Sequence, residues 1–487
     1  AVEVQRSFTY IAGEFKMSLL FVIFRCKVAN LSSIDRTNKK LLQTLVSLCQ
    51  KCNDSSTRMA SHDTSQQGRI TDYNYFFNTK ARRRMPSILR ELLKKPLPPQ
   101  GITFGVGVPN VQTFPFQEIS VKLKNGSSYK IDGKDLEVAL QYLPSLGYPP
   151  LLKQLQDLQD KIHGPQDWTK QSLMVTSGSS EAMAAVFDMI LTHGDPIIIA
   201  IPLYSGVAEM LRPYNPQYIG LEQDKDGVQP HQLRRLLEER VQEDKPLPKL
   251  MYINPTACNP TGRNLSLQRR KELYKIASEY NFLILEDDPY YFLSLMEEDT
   301  ASLLSMDVEG RVIRAESFSK ILSSGLRVGF VTGPSPLIRQ IELHIQVSSL
   351  HTAGVPQVIV SKLLKSWDHE GYLQHIEQVK KFYRERRDLM VAACNRYLKD
   401  VAEWNVPTGG MFLWVKVPVL KDTWSLAMKH CMEKHLIVVP GHPFTAGLTP
   451  PQYNYIRLSY SLASPEQMDK GVKLLAEIIQ EAVKNGN

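Results

Sequence analysis

Lys320 is the residue around which chemistry can collect. It closes the run Arg314-Ala315-Glu316-Ser317-Phe318-Ser319-Lys320, behind two hydroxyl side chains and seven residues before Arg327. A guanidinium offers a charged fork and each hydroxyl a single donor, so this neighbourhood suits a phosphate. A lysine held beside a bound phosphate suits a Schiff base to a phosphorylated aldehyde. Ser-x-Ser-Lys runs also occur on ordinary surfaces, so the remaining parts of such a site must come from elsewhere in the chain.

Three other stretches place polar groups where an apolar run ends. Ser177-Gly178-Ser179-Ser180 follows the run ending at Thr176 and opens a helical pattern. Free N–H groups at a helix start, with hydroxyls among them, form an anion site; a plain serine N-cap is the simpler alternative. Cys258-Asn259-Pro260-Thr261-Gly262 follows Lys249–Asn254. It reads as a turn in which Asn-Pro can be cis, and the Asn259 amide can donate to a phenolate oxygen. Glu286-Asp287-Asp288-Pro289-Tyr290-Tyr291-Phe292 follows Phe282–Leu285. A carboxylate there can keep a pyridine nitrogen protonated, and the cationic ring then serves as an electron sink. Asp287/Tyr290 and Asp288/Tyr291 have the same spacing, which does not choose between them.

The elements that must position these groups alternate regularly. Helical Leu151–Ile162 leads to strand Ser172–Thr176, helix Glu181–Leu191 and strand Pro196–Ile201. Helix Pro230–Glu243, strand Lys249–Asn254, helix Ser266–Tyr280 and strand Phe282–Leu285 follow. Strands Val312–Ser317 and Leu326–Thr332 complete the series. Such alternation predicts an α/β fold with a mostly parallel central sheet covered on both faces, whose chemistry lies at the carboxyl ends of the strands. The later part differs. Long helices over 335–365 and 372–398, strand Met411–Val417, helix Trp424–Lys434, strand Tyr455–Ser461 and helix Pro465–Val483 predict a smaller α+β domain. Upstream, Tyr73–Leu93 is amphipathic at helical spacing, Pro96–Gly101 is a linker, and Ile102–Asn110 is a short strand-like run. Its Gly105-x-Gly107 lacks a third glycine and a following helix, which excludes a dinucleotide fingerprint.

Composition is that of an ordinary globular protein, with 43% hydrophobic and 22% charged residues in 487. Residues 1–70 carry +5 of the net +8, so the body of the chain is close to balanced and no nucleic-acid surface is expected. Six scattered cysteines form no disulfide framework, and Cys49-x-x-Cys52 has no second pair to complete a metal site. The apolar run Met17–Phe24 is too short to span a bilayer. Residues 1–70 stand as an N-terminal extension of open role, a transit segment among the readings, which leaves cytoplasm and mitochondrion as the compartments.

The pieces, in this order, resemble the fold-type I pyridoxal-phosphate aminotransferases of class I and II, from about Tyr73 to Val483. Asn259-Pro-Thr-Gly262, Asp287-x-x-Tyr290 and Ser317-x-Ser-Lys320 with Gly325-Leu-Arg327 carry the resemblance. Glu286–Phe292, Ser317–Phe330 and Gly410-Met-Phe-Leu-Trp414 look like the kynurenine/2-aminoadipate branch. The resemblance implies pyridoxal 5′-phosphate as cofactor, attached to Lys320, which also shuttles the proton. It implies Asp287 at the pyridine nitrogen, Tyr290 and Asn259 at the ring oxygen, and Tyr204 stacked on the ring. Ser179, Ser180, Ser317 and Arg327 would hold the phosphate, and Tyr142 would reach a phosphate across a homodimer interface, the two copies sharing their active sites. Arg457 would grip the substrate α-carboxylate; on pattern alone, an arginine in an alternating strand reads as an exposed edge residue. Asn259, Gly107, Phe412 and Tyr142 would line the substrate pocket.

The chain departs from that pattern at Ser180, where the family usually has a longer amide, at Ile201, where an acid is usual, and at Val106 in place of glycine. The domains implied are an arm or part of the small domain over 71–115, a large cofactor-binding domain over 116–365 and a small domain over 366–487. The reaction implied moves an amino group from kynurenine, 2-aminoadipate or an aromatic or large amino acid to a 2-oxo acid such as 2-oxoglutarate. Alternatives are a lyase or 1-aminocyclopropane-carboxylate-synthase-like reaction on the same cofactor, or a regulator with a degenerate domain of this kind. No metal, nucleic acid or membrane is expected as a partner.

Overall fold

The computed structural model describes residues 68–484 apart from 94–98, 103, 106, 165, 297–300 and 449–452. The expectations for residues 1–67, Cys49-x-x-Cys52 among them, and for Val106 lie outside the described residues. An antiparallel hairpin comes first, β1 (Ile119–Lys122) with β2 (Ser128–Ile131). The central sheet follows, built from β3 (Gln171–Thr176), β4 (Pro196–Ile201), β5 (Gln217–Asp224) and β6 (Gly227–Val228). Its other strands are β7 (Leu250–Ile253), β8 (Leu283–Asp287), β9 (Val312–Ser317) and β10 (Gly329–Pro334). They are ordered β3-β10-β9-β8-β7-β4-β5-β6. The run from β9 to β5 is parallel, while β10 is antiparallel to both its neighbours and β6 to β5.

Side-chain alternation explains why this sheet is apolar on both faces. In β4, Ile197 and Ile199 join one core, with helix Ser179–Ile190, while Ile198 and Ala200 join another, with helices Pro230–Gln242 and Leu267–Glu279. Each such fully buried Ile or Leu stabilises by about 1.5–3 kcal/mol relative to exposure. A third core surrounds a separate antiparallel sheet of β11 (Glu403–Trp404), β12 (Phe412–Lys416), β13 (Val439–Pro440) and β14 (Tyr455–Ser459). Leu413, Val415, Ile456 and Leu458 pack there against Leu475 and Ile479 of helix Pro465–Lys484. Helix Gly354–Tyr397 runs from one sheet to the other and is broken at Asp368, with φ 51° and ψ −162°. Asp368 caps the second half by accepting from the Gly371 N–H at 3.0 Å, and the break falls between the two helices expected.

The chain before β1 is an arm. Phe76 and Phe77 are buried, Tyr73 donates to the Gly310 carbonyl at 2.8 Å, and Asn78 donates to the carbonyls of Asp188 and Leu191 at 2.8 Å. The Asp188 carboxylate receives Lys80, Arg84 and His344.

Several expectations need correction. Tyr73–Leu93 is two short helices, Thr79–Arg82 and Ile88–Leu93, and its apolar residues Met85, Ile88, Leu89 and Leu92 are exposed. The described residues of 102–110 form no strand, and Phe104 is 99% exposed. The strand expected at Leu326 begins at Gly329, because Arg327 takes a left-handed conformation with φ 54° after a short 3-10 turn. The helix expected over 335–365 ends at Ser348 and restarts at Gly354, with Leu350 left-handed between them at φ 71°. Trp424–Lys434 holds a π-helical turn, Leu426–Cys431. Helix Ser205–Leu211 and strand β5 were not legible. Among the described residues no helix is long and apolar enough to cross a membrane, and no cluster of side chains has metal-ligand composition.

Candidate active site

The carboxyl ends of β7, β8 and β9 meet at a cavity of about 400 Å³, joined there by the turns after β3 and β4. Most of the functional side chains enter from these ends, as the carboxyl-end rule for open α/β sheets leads one to expect, while Phe412 and Arg457 come from the second sheet.

Asp287 is the last residue of β8 and is 3% exposed. Its Oδ2 accepts from the Tyr252 hydroxyl at 2.8 Å, its backbone carbonyl accepts from Asn254 Nδ2 at 2.7 Å, and its Oδ1 is buried without a hydrogen-bond partner. Burial pushes its carboxyl up to about 7, against the downward pull of the Tyr252 hydroxyl. A cationic partner at Oδ1 reverses the desolvation cost. Asp288 points to the other face of β8 and does not line the cavity, while Tyr290 does. The two equally spaced pairs are thus separated by the strand's own alternation.

Asn259 sits in the turn after β7, preceding a cis bond to Pro260. Its Oδ1 accepts from Arg457 Nη1 at 2.9 Å, which leaves Nδ2 as the free end of the amide. Arg457 comes from β14 of the second sheet, 198 residues away. Its guanidinium lies 4.1 Å from the ring centre of Phe412 and 5.0 Å from that of Phe444, and its Nε is buried without a partner. It is a cavity residue, not the edge residue that an alternating pattern suggests. Lys320 Nζ stands 5.9 Å from the Tyr290 ring centre. Burial, then Arg327 and Arg457, lower its ammonium from the usual lysine value, against the pull of Asp287.

One group of cavity residues is built for an anion. Helix Ser179–Ile190 opens onto the cavity with Ser179 and Ser180 at its first positions, where the backbone N–H groups have no helical partner. Arg327 donates to the Ser177 carbonyl at 2.8 Å and to Ser319 Oγ at 3.2 Å, and Ser317 donates to Ser319 Oγ at 2.9 Å. Gly178, at φ 80°, is required by contact as well as conformation, since a Cβ there would lie 2.5 Å from Arg327 Nη2. Tyr204 borders the cavity from the turn after β4, and a Cβ on Gly206 would lie 2.6 Å from the Tyr204 ring.

Eleven of the thirteen residues expected from the sequence therefore border one cavity: Lys320, Asp287, Tyr290, Asn259, Tyr204, Ser179, Ser180, Ser317, Arg327, Phe412 and Arg457. Two do not. Tyr142 is 51% exposed outside it, edge-on to His351 and 5.7 Å from the Arg90 guanidinium. Gly107 is exposed with open space at its Cβ position. Tyr252, Asn254, Ser319 and Ser324 were missed. Asn254 and Ser319 stand beside quoted motifs and were findable; Tyr252 lies inside an apolar strand and reads as core.

The family model described as "Aminotransferase class I and II" matches residues 100–475. A Bos taurus protein named "Kynurenine/alpha-aminoadipate aminotransferase, mitochondrial" is 42% identical over 426 residues, 85% of this chain and 100% of that one. Among solved structures, a Pyrococcus horikoshii kynurenine aminotransferase in complex with PMP is 31% identical, with TM-score 0.68 over 85% of this chain and 98% of that one. Aminotransferase Aro8 from Candida albicans is 25% identical, with TM-score 0.77 over 86% of this chain and 100% of its own.

Proposed function

The chain belongs to the class I and II aminotransferases, and from that premise we propose which residues run the reaction and on what substrates. It is a pyridoxal-phosphate-dependent enzyme of the α/β fold-type I class. The residues present fit that cofactor: Asp287 Oδ1 is a buried acceptor with no hydrogen-bond partner, and the helix start with Arg327 offers donors for a phosphate on the same cavity. When bound, pyridoxal phosphate supplies an aldehyde that exchanges amines and a protonated ring that accepts the electron pair left when the α-proton departs.

Lys320 Nζ is the covalent anchor and, once released by substrate, the base that carries the proton from the α-carbon. Burial and the two arginines shift it toward the form that accepts a proton. Asp287 Oδ1 would hold the proton on the ring nitrogen. Asn259 Nδ2 and Tyr290 would donate to the ring oxygen, Tyr204 would pack on the ring, and Ser179, Ser180, Ser317 and Arg327 would hold the phosphate. Arg457 presents its fork to the α-carboxylate, oriented by Asn259 and the two phenylalanine faces. Phe412 lines the substrate side, and Gly107 joins it from the exposed segment. Tyr142, half exposed outside its own cavity, serves the cavity of a second copy, which makes a homodimer the working unit.

The donor is kynurenine, 2-aminoadipate or another aromatic or large amino acid, and the acceptor a 2-oxo acid such as 2-oxoglutarate. The printed names of the bovine and archaeal relatives support this reading. The lyase and regulator alternatives gain nothing from these relatives. Large and small domains divide near the break at Asp368, and the compartment is mitochondrial, as the bovine relative's name has it, or cytoplasmic.

The observation that carries the assignment is the meeting of Lys320, Asp287 and Arg457 in one cavity. Borohydride reduction followed by peptide mapping places the cofactor on Lys320; a label on any other lysine overturns the assignment. Single amino acids that bleach the visible absorbance of the enzyme then identify the donor.

A further inference from the structure

We infer that Asp288 and Arg314 form a buried positioning pair that sets both the place and the charge of Asp287 from behind the sheet. The inference rests on Asp287 serving the ring nitrogen. β8 and β9 are parallel, with Glu286 opposite Arg314 and Asp287 opposite Ala315. Alternation sends Asp287 and Ser317 toward the cavity, and Glu286, Asp288, Arg314 and Glu316 to the other face. Those four are 0%, 2%, 0% and 4% exposed.

Arg314 is their hub. Its Nη1 lies 3.1 Å from Glu286 Oε2 and donates to Asp288 Oδ2 at 3.0 Å, and its Nε lies 3.3 Å from Glu316 Oε2. Its guanidinium rests 4.9 Å from the Tyr291 ring centre. Asp288 Oδ2 also accepts from Thr256 Oγ1 at 3.0 Å, and the Asp288 N–H donates to the Ala315 carbonyl at 3.0 Å. Arg270 donates to Thr256 Oγ1 at 3.3 Å and to the Pro255 carbonyl at 3.2 Å. One ion pair therefore joins the turn that carries Asn259, the turn that carries Asp287 and Tyr290, and the strand that leads to Ser317 and Lys320.

Stability alone does not account for such a cluster. Buried ion pairs replaced by well-packed apolar residues are often as stable or more so. A fixed charge in a low-dielectric interior does act on its neighbours. The Asp288 carboxylate disfavours a second charge on Asp287, while Arg314 favours it. The two charges act in opposite directions on Asp287, so removing either one alone shifts the balance between them.

The test uses full-chain holoenzymes of wild type, R314Q, D288N, the double variant, and D287N as reference. It reads kcat and KM, and the pH midpoint of cofactor release on dilution. R314Q is expected to lower kcat about tenfold, the equivalent of one pKa unit, with KM nearly unchanged and the midpoint moved to higher pH. D288N moves the midpoint to lower pH, and the double variant returns toward wild type. Additive losses of thermal stability with an unmoved midpoint overturn the pair. Should R314Q not fold, D288N decides alone: a midpoint moved to lower pH supports the pair and an unmoved one overturns it. If D287N itself leaves kcat and midpoint untouched, the ring-nitrogen reading fails instead.

Discussion

Arg457 shows how much one side chain can do when its surroundings fix it. Three groups set its position: Asn259 Oδ1 at 2.9 Å and the rings of Phe412 and Phe444. Lysine keeps the charge and loses both the planar stack and the fork. Arg457→Lys is therefore expected to raise KM for the amino acid about tenfold to a hundredfold, the worth of one hydrogen bond to a charged group. It is also expected to loosen the Asn259 amide, seen as a change in the visible spectrum of the enzyme. A variant with unaltered KM contradicts the carboxylate role. This residue was the hardest to read from the chain, because β14 alternates like any half-buried strand. What makes Arg457 a site residue is a partner 198 positions away.

At the scale of elements, the cavity is a set of strand ends, and that is why so much of it was legible. An apolar run that stops at Asp, Asn or Ser in an α/β pattern has few places to put those groups except the carboxyl edge. Asp287, Asn259 and Ser179 follow from that logic. Tyr252 does not, since it lies within β7 and only its hydroxyl reaches Asp287. The direction of β10 was not legible either, as its composition is the same either way round. A tight element beside the cavity is the turn from β3 into its helix. Gly178→Ala adds a methyl 2.5 Å from Arg327 Nη2 at a backbone φ of 80°. It is expected to cost about 1–3 kcal/mol in backbone strain and to weaken cofactor binding at least tenfold, measured by thermal melting and by cofactor titration. An alanine variant that binds the cofactor as wild type does removes the cradle from the phosphate site.

For the whole molecule, the buried Asp287 ties stability to pH. Burial pushes its carboxyl in the folded protein up to about 7, above the ordinary aspartate range. A raised folded value contributes stability that is fully present below the unfolded pKa and is lost as pH rises through the folded one. Cofactor-free protein is thus expected to melt lower at pH 8 than at pH 5, and Asp287→Asn to flatten that slope; a slope of opposite sign in Asp287→Asn minus wild type contradicts it. On the proposed role of Asp287, a cationic ring nitrogen would compensate the buried charge, and cofactor-loaded protein is expected to show a smaller dependence.

The site also draws on two sheets with separate cores, Lys320 and Asp287 on one side and Arg457 on the other. The proposed carboxylate grip exists only once both cores are built and joined. In a refolding experiment, secondary structure and cofactor capture are then expected to recover first, and substrate turnover last.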